Sequence, residues 1–377
     1  MKKNLLFSLL AAFCFVLFSN FSCSNVDDEE FPSVESPSVE SSENTSNDDT
    51  SEDGEKLPYV NMTEMCHSNG VLYGFLSQYD ENWNSKITFY TYYTLTGEVK
   101  NSWITDGTQI TSPYKVFAAG NYVCITESDY VNDGYVNIFT AEGKLVDRFT
   151  TGVGPRCAAM LGEYLYILNE GLWGYNNATL TQYNITSGAV VKDCFSAKNN
   201  RGIGDTANDI VVCGDKMFIA VSTDEIIWVT DADAEIISKI ELDAQPRFMT
   251  QFNDKVYVTL YDGRVARIDA ATMSVEVTVN VGRNPEQLCV LNGKLFVANS
   301  GGLDYSTEVG CDKTVSVIDI STFTEKEKID VVLNPANILA ADDGYIYLVS
   351  LGNVYNSIPN TFQRIDPDTY DVKVLGN

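Results

Sequence analysis

The sequence predicts an all-β fold, a seven-bladed β-propeller preceded by a signal peptide and a disordered acidic linker. Three observations carry this. A turn followed by an apolar-aromatic strand occurs seven times, a strand-turn-strand pattern follows each copy, and the copies recur at the spacing of a four-stranded unit.

The first pattern is "NGVLYGF" (69–75), "GNYVCIT" (120–126), "GEYLYIL" (162–168), "GDKMFIA" (214–220), "NDKVYVT" (253–259), "NGKLFVA" (292–298) and "DGYIYLV" (343–349). The second is typified by "YVNIFTAEGKLVDRFT", "RVARIDAATMSVEVTV" and "TVSVIDISTFTEKEKI", in which a β-rich strand meets a polar turn and a further strand. Tyr73, Cys124, Tyr166, Phe218, Tyr257, Phe296 and Tyr347 align, 39 to 52 residues apart. A four-stranded sheet that is apolar on both faces cannot stand alone in water. Radial stacking buries both faces, and seven copies can close a ring. No 3.6-residue amphipathic pattern competes after residue 57.

Residues 1–22 precede this unit. "MKK" is a basic start, "LLFSLLAAFCFVLF" is an apolar run short for a membrane span, and "SNFSC" places a small residue before Cys23. The pattern is that of an export signal, and it resembles a bacterial lipoprotein signal in which Cys23 becomes the lipidated first residue. Residues 23–56 form an acidic tether: Asp27 to Glu55 contains twelve acidic residues and no basic one. Like charges repel there, and too little apolar surface exists to offset the entropy of ordering. "CSNVDDEE" resembles the acid-rich stretch that sends some lipoproteins to the outer face of the outer membrane. The propeller is expected over 57–377.

The 377-residue chain carries 52 acidic and 25 basic residues, a formal net charge of −27. Such a surface would repel phosphates instead of releasing their counterions, so no nucleic-acid partner is expected. Beyond Cys14 and Cys23, seven cysteines remain with no C-x-x-C pair; they read as small buried hydrophobes, with one disulfide open. The single histidine, His67, sits before a tight turn, so triads and multi-histidine metal sites cannot be assembled and a structural role is expected. "DYVNDG" (129–134) offers oxygen ligands but lacks the full calcium-loop pattern and reads as a turn. No metal, cofactor or catalytic residue is assigned, and the chain reads as a binding protein, not an enzyme.

With strands lettered A to D from the axis outward, tight A-to-B turns lie on one face. The longer B-to-C and D-to-A connections share the other. That face collects Tyr79, Trp83, Tyr130, Trp173, Tyr175, Tyr305 and Tyr355 at its rim, and Arg156, Arg247 and Arg283 nearer the axis. Aromatic faces with Asn, Asp and Arg groups suit a large, polar-edged ligand, such as a glycan or a tetrapyrrole-like macrocycle. Packing of the loops onto neighbouring blades is the competing explanation for any one of these residues.

"TVSVIDISTFTEKEKI" and "GRNPEQLCVLNGKLFVANS" resemble YVTN/YncE-like propeller repeats of exported bacterial proteins. "LNEGLWGYNNATLTQYNITSGAV" with "GIGDTANDIVVCGDKMFIAVSTDEIIWVTD", and "SDYVNDGYVNIFTAEGKLVDRFTTGVGP", are similar to segments of BtuG-type surface lipoproteins. That resemblance implies a lipid-anchored protein facing the cell exterior, which captures a cobalamin-like corrinoid and passes it to a TonB-dependent outer-membrane transporter. A glycan-binding or adhesion propeller is the alternative, with a carbohydrate-active enzyme a more distant one.

Overall fold

The computed structural model describes residues 61–79, 85–302, 310–353 and 358–376. The expected signal peptide, the tether and Cys23 lie outside the described residues. The second of the chain's two units, Pro58–Asn377, holds every described strand.

Seven antiparallel four-stranded sheets succeed one another along the chain, each paired in plain sequence order. The innermost strands are Glu64–Ser68, Pro113–Ala119, Pro155–Leu161, Ala207–Cys213, Pro246–Phe252, Pro285–Leu291 and Pro335–Ala340. Each lies against the innermost strand of the next blade. Five of them start with proline, which is tolerated at the first position of a strand because no ladder donor is needed there. The A-to-B hairpins are as tight as their sequences require. At Asn69-Gly70 and Asn292-Gly293 both central residues have positive φ, the geometry whose twist matches the flanking strands.

Packing follows the same repeat. All seven aligned second-strand residues, from Tyr73 to Tyr347, are buried. Separate apolar clusters fill the seams: Tyr73 and Phe139 between blades 1 and 2, Ile167 and Phe149 between 2 and 3, and Tyr166 with Trp228 between 3 and 4. Phe218 and Ile268 fill the seam of blades 4 and 5, Tyr257 and Leu295 that of 5 and 6, and Phe296 and Leu348 that of 6 and 7. Outer strands are exposed, as in Ser274–Asn280.

Every sheet is built from one continuous stretch, so the ring is not closed by an exchanged strand. Side chains close it. Asn360 donates to the Met62 carbonyl at 3.0 Å and to Asn61 Oδ1 at 3.1 Å, while Asn61 donates to the Asn360 carbonyl at 2.9 Å. Tyr92 of blade 1 meets Tyr347 and Phe362 of blade 7 edge-on, at 5.7 and 5.8 Å between ring centroids. At the tight-turn face the Gly70 amide donates to Asp342, and His67 Nε2 stands 3.5 Å from the same carboxylate. Burial holds the His67 pKa below its usual value.

One local expectation changes, and the open question of a disulfide is answered for the described cysteines. The outer strand of blade 3 is only Val190–Val191, and a short helix, Cys194–Asn199, follows it. Asp193 caps that helix by accepting from the Ser196 amide, and Asn200 ends it in the left-handed region. The seven described cysteines are all free thiols, with no disulfide among them. Burial raises the Cys66 and Cys124 thiols far above the ordinary range, consistent with inert packing.

Phe362→Ala is expected to lower unfolding free energy by about 3–5 kcal/mol in urea denaturation. Combined with Tyr92→Ala, the loss should fall short of additive by about 0.5–1.5 kcal/mol, because both variants remove one ring contact. Strict additivity would show that the closing seam does not depend on that contact.

Candidate functional site

The strand order puts the A-to-B and C-to-D turns on one face and the B-to-C and D-to-A connections on the other. Of the residues expected on the long-loop face, Trp83, Tyr305 and Tyr355 lie outside the described residues. Tyr79 ends the strand Val71–Tyr79. Five of the other six fall into two groups, and Arg283 stands apart.

The first group surrounds the axis. Arg156 and Arg247 are second residues of innermost strands, and each side chain is 14% exposed. Arg156 bonds Glu170 at 2.8 Å, and the Tyr114 hydroxyl donates to the same carboxylate at 3.2 Å. Tyr130, left-handed at φ 63, packs its ring edge-on to Tyr114 at 5.3 Å. Arg247 meets Glu286 at 2.8 Å, and Ser300 donates to Glu286 at 3.0 Å. Both guanidinium carbons stand 5.4 Å from the Phe248 ring, and Arg247 also faces Tyr261 at 4.5 Å. The two arginines are thus matched by the protein's own carboxylates and organise the inner face.

Asp209 belongs to this group. Burial raises its pKa to about 6, against the opposing pull of amide bonds from Met249 at 2.6 Å and Ile210 at 2.9 Å, and of Arg156. The "DYVNDG" turn closes on itself: Asp129 accepts from the Val131 and Asn132 amides and from the Asn132 side chain. Arg283 donates to the Gly310 carbonyl at 2.6 Å and borders a shallow groove with Tyr261, Asp262 and Asn284 between blades 5 and 6.

The second group lies at the seam of blades 3 and 4. Trp173 and Tyr175 are 39% and 72% exposed, in the loop between Tyr164–Asn169 and Thr179–Asn184. The backbone of this loop is fixed at several points. Leu172 N donates to Asn177 Oδ1 at 2.8 Å, Gly174 N to Asp205 Oδ2 at 2.8 Å, and Ala178 N to the Gly204 carbonyl at 3.2 Å. The same loop sends Glu170 inward to Arg156, so its two ends serve different places.

Beside it opens a cavity of about 560 Å³ lined by Asn176, Arg201, Gly202, Gly204, Asp205 and Asp224. Arg201 lies over the Trp228 ring at 4.4 Å, and the Trp228 indole donates to the Ile203 carbonyl at 2.7 Å. Gly204 has φ 137, and a Cβ there would come within 2.1 Å of Asp224 Oδ2. Thr206 has φ 60, an outlier for a β-branched residue. Arg201, Asp205 and Asp224 were not singled out by sequence reasoning. The signal available was "RGIGD", two glycines between charges in an unusually long D-to-A connection.

The Asp209 shift has a testable sign. A carboxyl with a raised folded pKa adds stability at low pH that is lost as pH rises from the unfolded value of roughly 3.9 through about 6. Asp209→Asn should therefore flatten the stability profile between pH 4 and 6, read as urea midpoints, while parallel profiles would place the titration elsewhere.

The fold has many counterparts among solved structures. The chain is similar to Saccharomyces cerevisiae Sqt1, with 10% identity, TM-score 0.58, and 84% of this chain and 86% of that chain covered. It is similar to the WD40 propeller domain of Doa1, at 12% identity, TM-score 0.56, covering 76% and 89% respectively. The computationally designed Ika8 protein gives 12% identity, TM-score 0.56 and coverage of 85% and 89%. Identities this low establish the propeller architecture alone. No curated protein matches the chain. One family model does, over residues 163–375, which spans blade 3 without its innermost strand and blades 4 to 7, with the Trp173 loop and its groove. The chain belongs to the DUF5074 family, described as a domain of unknown function.

Proposed function

We propose that this protein is a ligand-capture propeller that binds through its long-loop face. The observation that carries this is the Trp173–Tyr175 loop: two aromatic rings stay exposed on a backbone fixed by hydrogen bonds, beside an open polar cavity. A loop that merely packed between blades would bury those rings. Its exposed rings on a fixed frame supply contact area with little ordering cost on binding.

The most specific form of this function is capture of a corrinoid at the cell surface. It draws on the resemblance of the Trp173 and "SDYVNDG" segments to BtuG-type lipoproteins. The protein would be anchored in the outer membrane through lipidated Cys23, with residues 23–56 as tether, and would deliver its ligand to a TonB-dependent transporter. The chemistry needed is binding and release, with no catalytic step.

Equilibrium titration of the mature protein with cyanocobalamin tests the corrinoid form. Binding at or below micromolar concentration is expected, and Trp173→Ala should weaken it by about tenfold or more with stability within about 1 kcal/mol of the parent. No binding at micromolar ligand would sink the corrinoid assignment. A large stability loss in Trp173→Ala without a binding change would assign the ring to packing.

A further inference from the structure

We propose that the groove between blades 3 and 4 is a binding site for a neutral, hydroxyl-rich saccharide. This rests on the long-loop face being a ligand surface, and it names a ligand class and a site for it. The first observation is what Arg201 lacks. Arg148, Arg156, Arg247, Arg264 and Arg267 each meet a carboxylate. Arg201 lines a cavity that also contains Asp205 and Asp224, yet among the described residues it pairs with neither and stacks on Trp228; Arg364 likewise stacks on Tyr345 without a carboxylate, so it is the polar cavity that sets Arg201 apart. The planar donor fork is thereby held in place with its hydrogen-bonding edge available.

The acceptors are equally placed. Asp224 and the Asn176 amide line the groove without a side-chain hydrogen bond to another described residue, whereas Asp205, 8% exposed, is occupied in holding Gly174 and Thr206. The lining contains guanidinium, carboxylate, amide and glycine, and no apolar side chain. An apolar or purely aromatic ligand would leave these groups desolvated and unmatched. Vicinal hydroxyls match them, since each hydroxyl both donates and accepts.

The rim supplies the remaining element. Trp173 and Tyr175 flank Gly174, whose amide is bonded to the groove's own Asp205, so both rings are carried by the groove wall. Such rings offer flat apolar area to the C–H face of a pyranose while the groove takes its hydroxyls. Gly204 lets the Asp224 carboxylate lie close against the groove backbone, since a Cβ there would come within 2.1 Å of it. The net charge of −27 disfavours polyanionic chains, which selects a neutral saccharide.

The test is affinity electrophoresis of the mature protein through gels containing dextran, galactomannan, xyloglucan or polygalacturonate, with titration of the zwitterionic peptide trialanine as a counter-probe. Retardation in at least one neutral polysaccharide and none in polygalacturonate is expected. Arg201→Ala and Asp224→Ala should each lower that affinity about tenfold with unchanged melting temperature. No retardation in any neutral gel, retardation undiminished in both variants, or binding of trialanine alone would overturn the saccharide site. Cyanocobalamin binding without saccharide binding would refute this site and leave the capture function standing. Saccharide binding that depends on Arg201 and Asp224, without cyanocobalamin binding, would do the reverse for the corrinoid form.

Discussion

Burial of both faces of every blade is the constraint on which the molecule depends. A sheet such as Tyr164–Asn169 with its neighbours presents Tyr166 and Leu168 to one seam and Leu165 and Ile167 to the other, and each set is covered only by the next blade. No blade is complete without two partners. The ring must therefore close, and here it closes without strand exchange, through the Asn61–Asn360 amide pair and the Tyr92, Tyr347 and Phe362 rings. The closing seam joins residues about as far apart in the chain as the fold allows.

A ring closed in this way leaves most loops of one face with little structural duty. The inner strands and tight hairpins hold most of the seams, so the B-to-C and D-to-A connections, apart from those that carry the closing Asn61–Asn360 pair, are free to differ from blade to blade. In blade 3 that freedom is used twice. Glu170 turns inward to the charge pairs around the axis, and Trp173 and Tyr175 stay exposed on a loop bonded to the groove's Asp205. The unfavourable backbone at Thr206 lies at the junction of groove and inner strand, where surrounding hydrogen bonds such as Ser222 N to the Thr206 carbonyl hold it.

The charged groups divide by location. Around the axis, Arg156 and Arg247 are matched by Glu170 and Glu286, and the low exposure of these pairs makes them costly to break. At the groove, Arg201 and Asp224 share a lining without pairing with each other. Residue type does not distinguish these roles, since both places use arginine beside carboxylate. Partnering does.

The fold was legible because a propeller repeats itself. Seven turn-strand copies at a regular period, with Asn-Gly hairpins whose positive φ values the residues themselves demand, set the blade count and the order of strands. Loop position was legible too, which is why Trp173, Tyr175 and Tyr130 were found on the expected face. The short helix of blade 3 was not, because six residues carry no period and its start rests on a single Asp193 cap. Nor was the groove: Asn176, Arg201, Asp205 and Asp224 come from three separate segments, and nothing local marks them as neighbours. The amino-acid sequence by itself determined the repeat, the hairpins and the two unlike faces, all consequences of local pattern. Only the tertiary structure decided which arginines meet a carboxylate and which do not, because ion pairing depends on distances between residues that packing alone brings together.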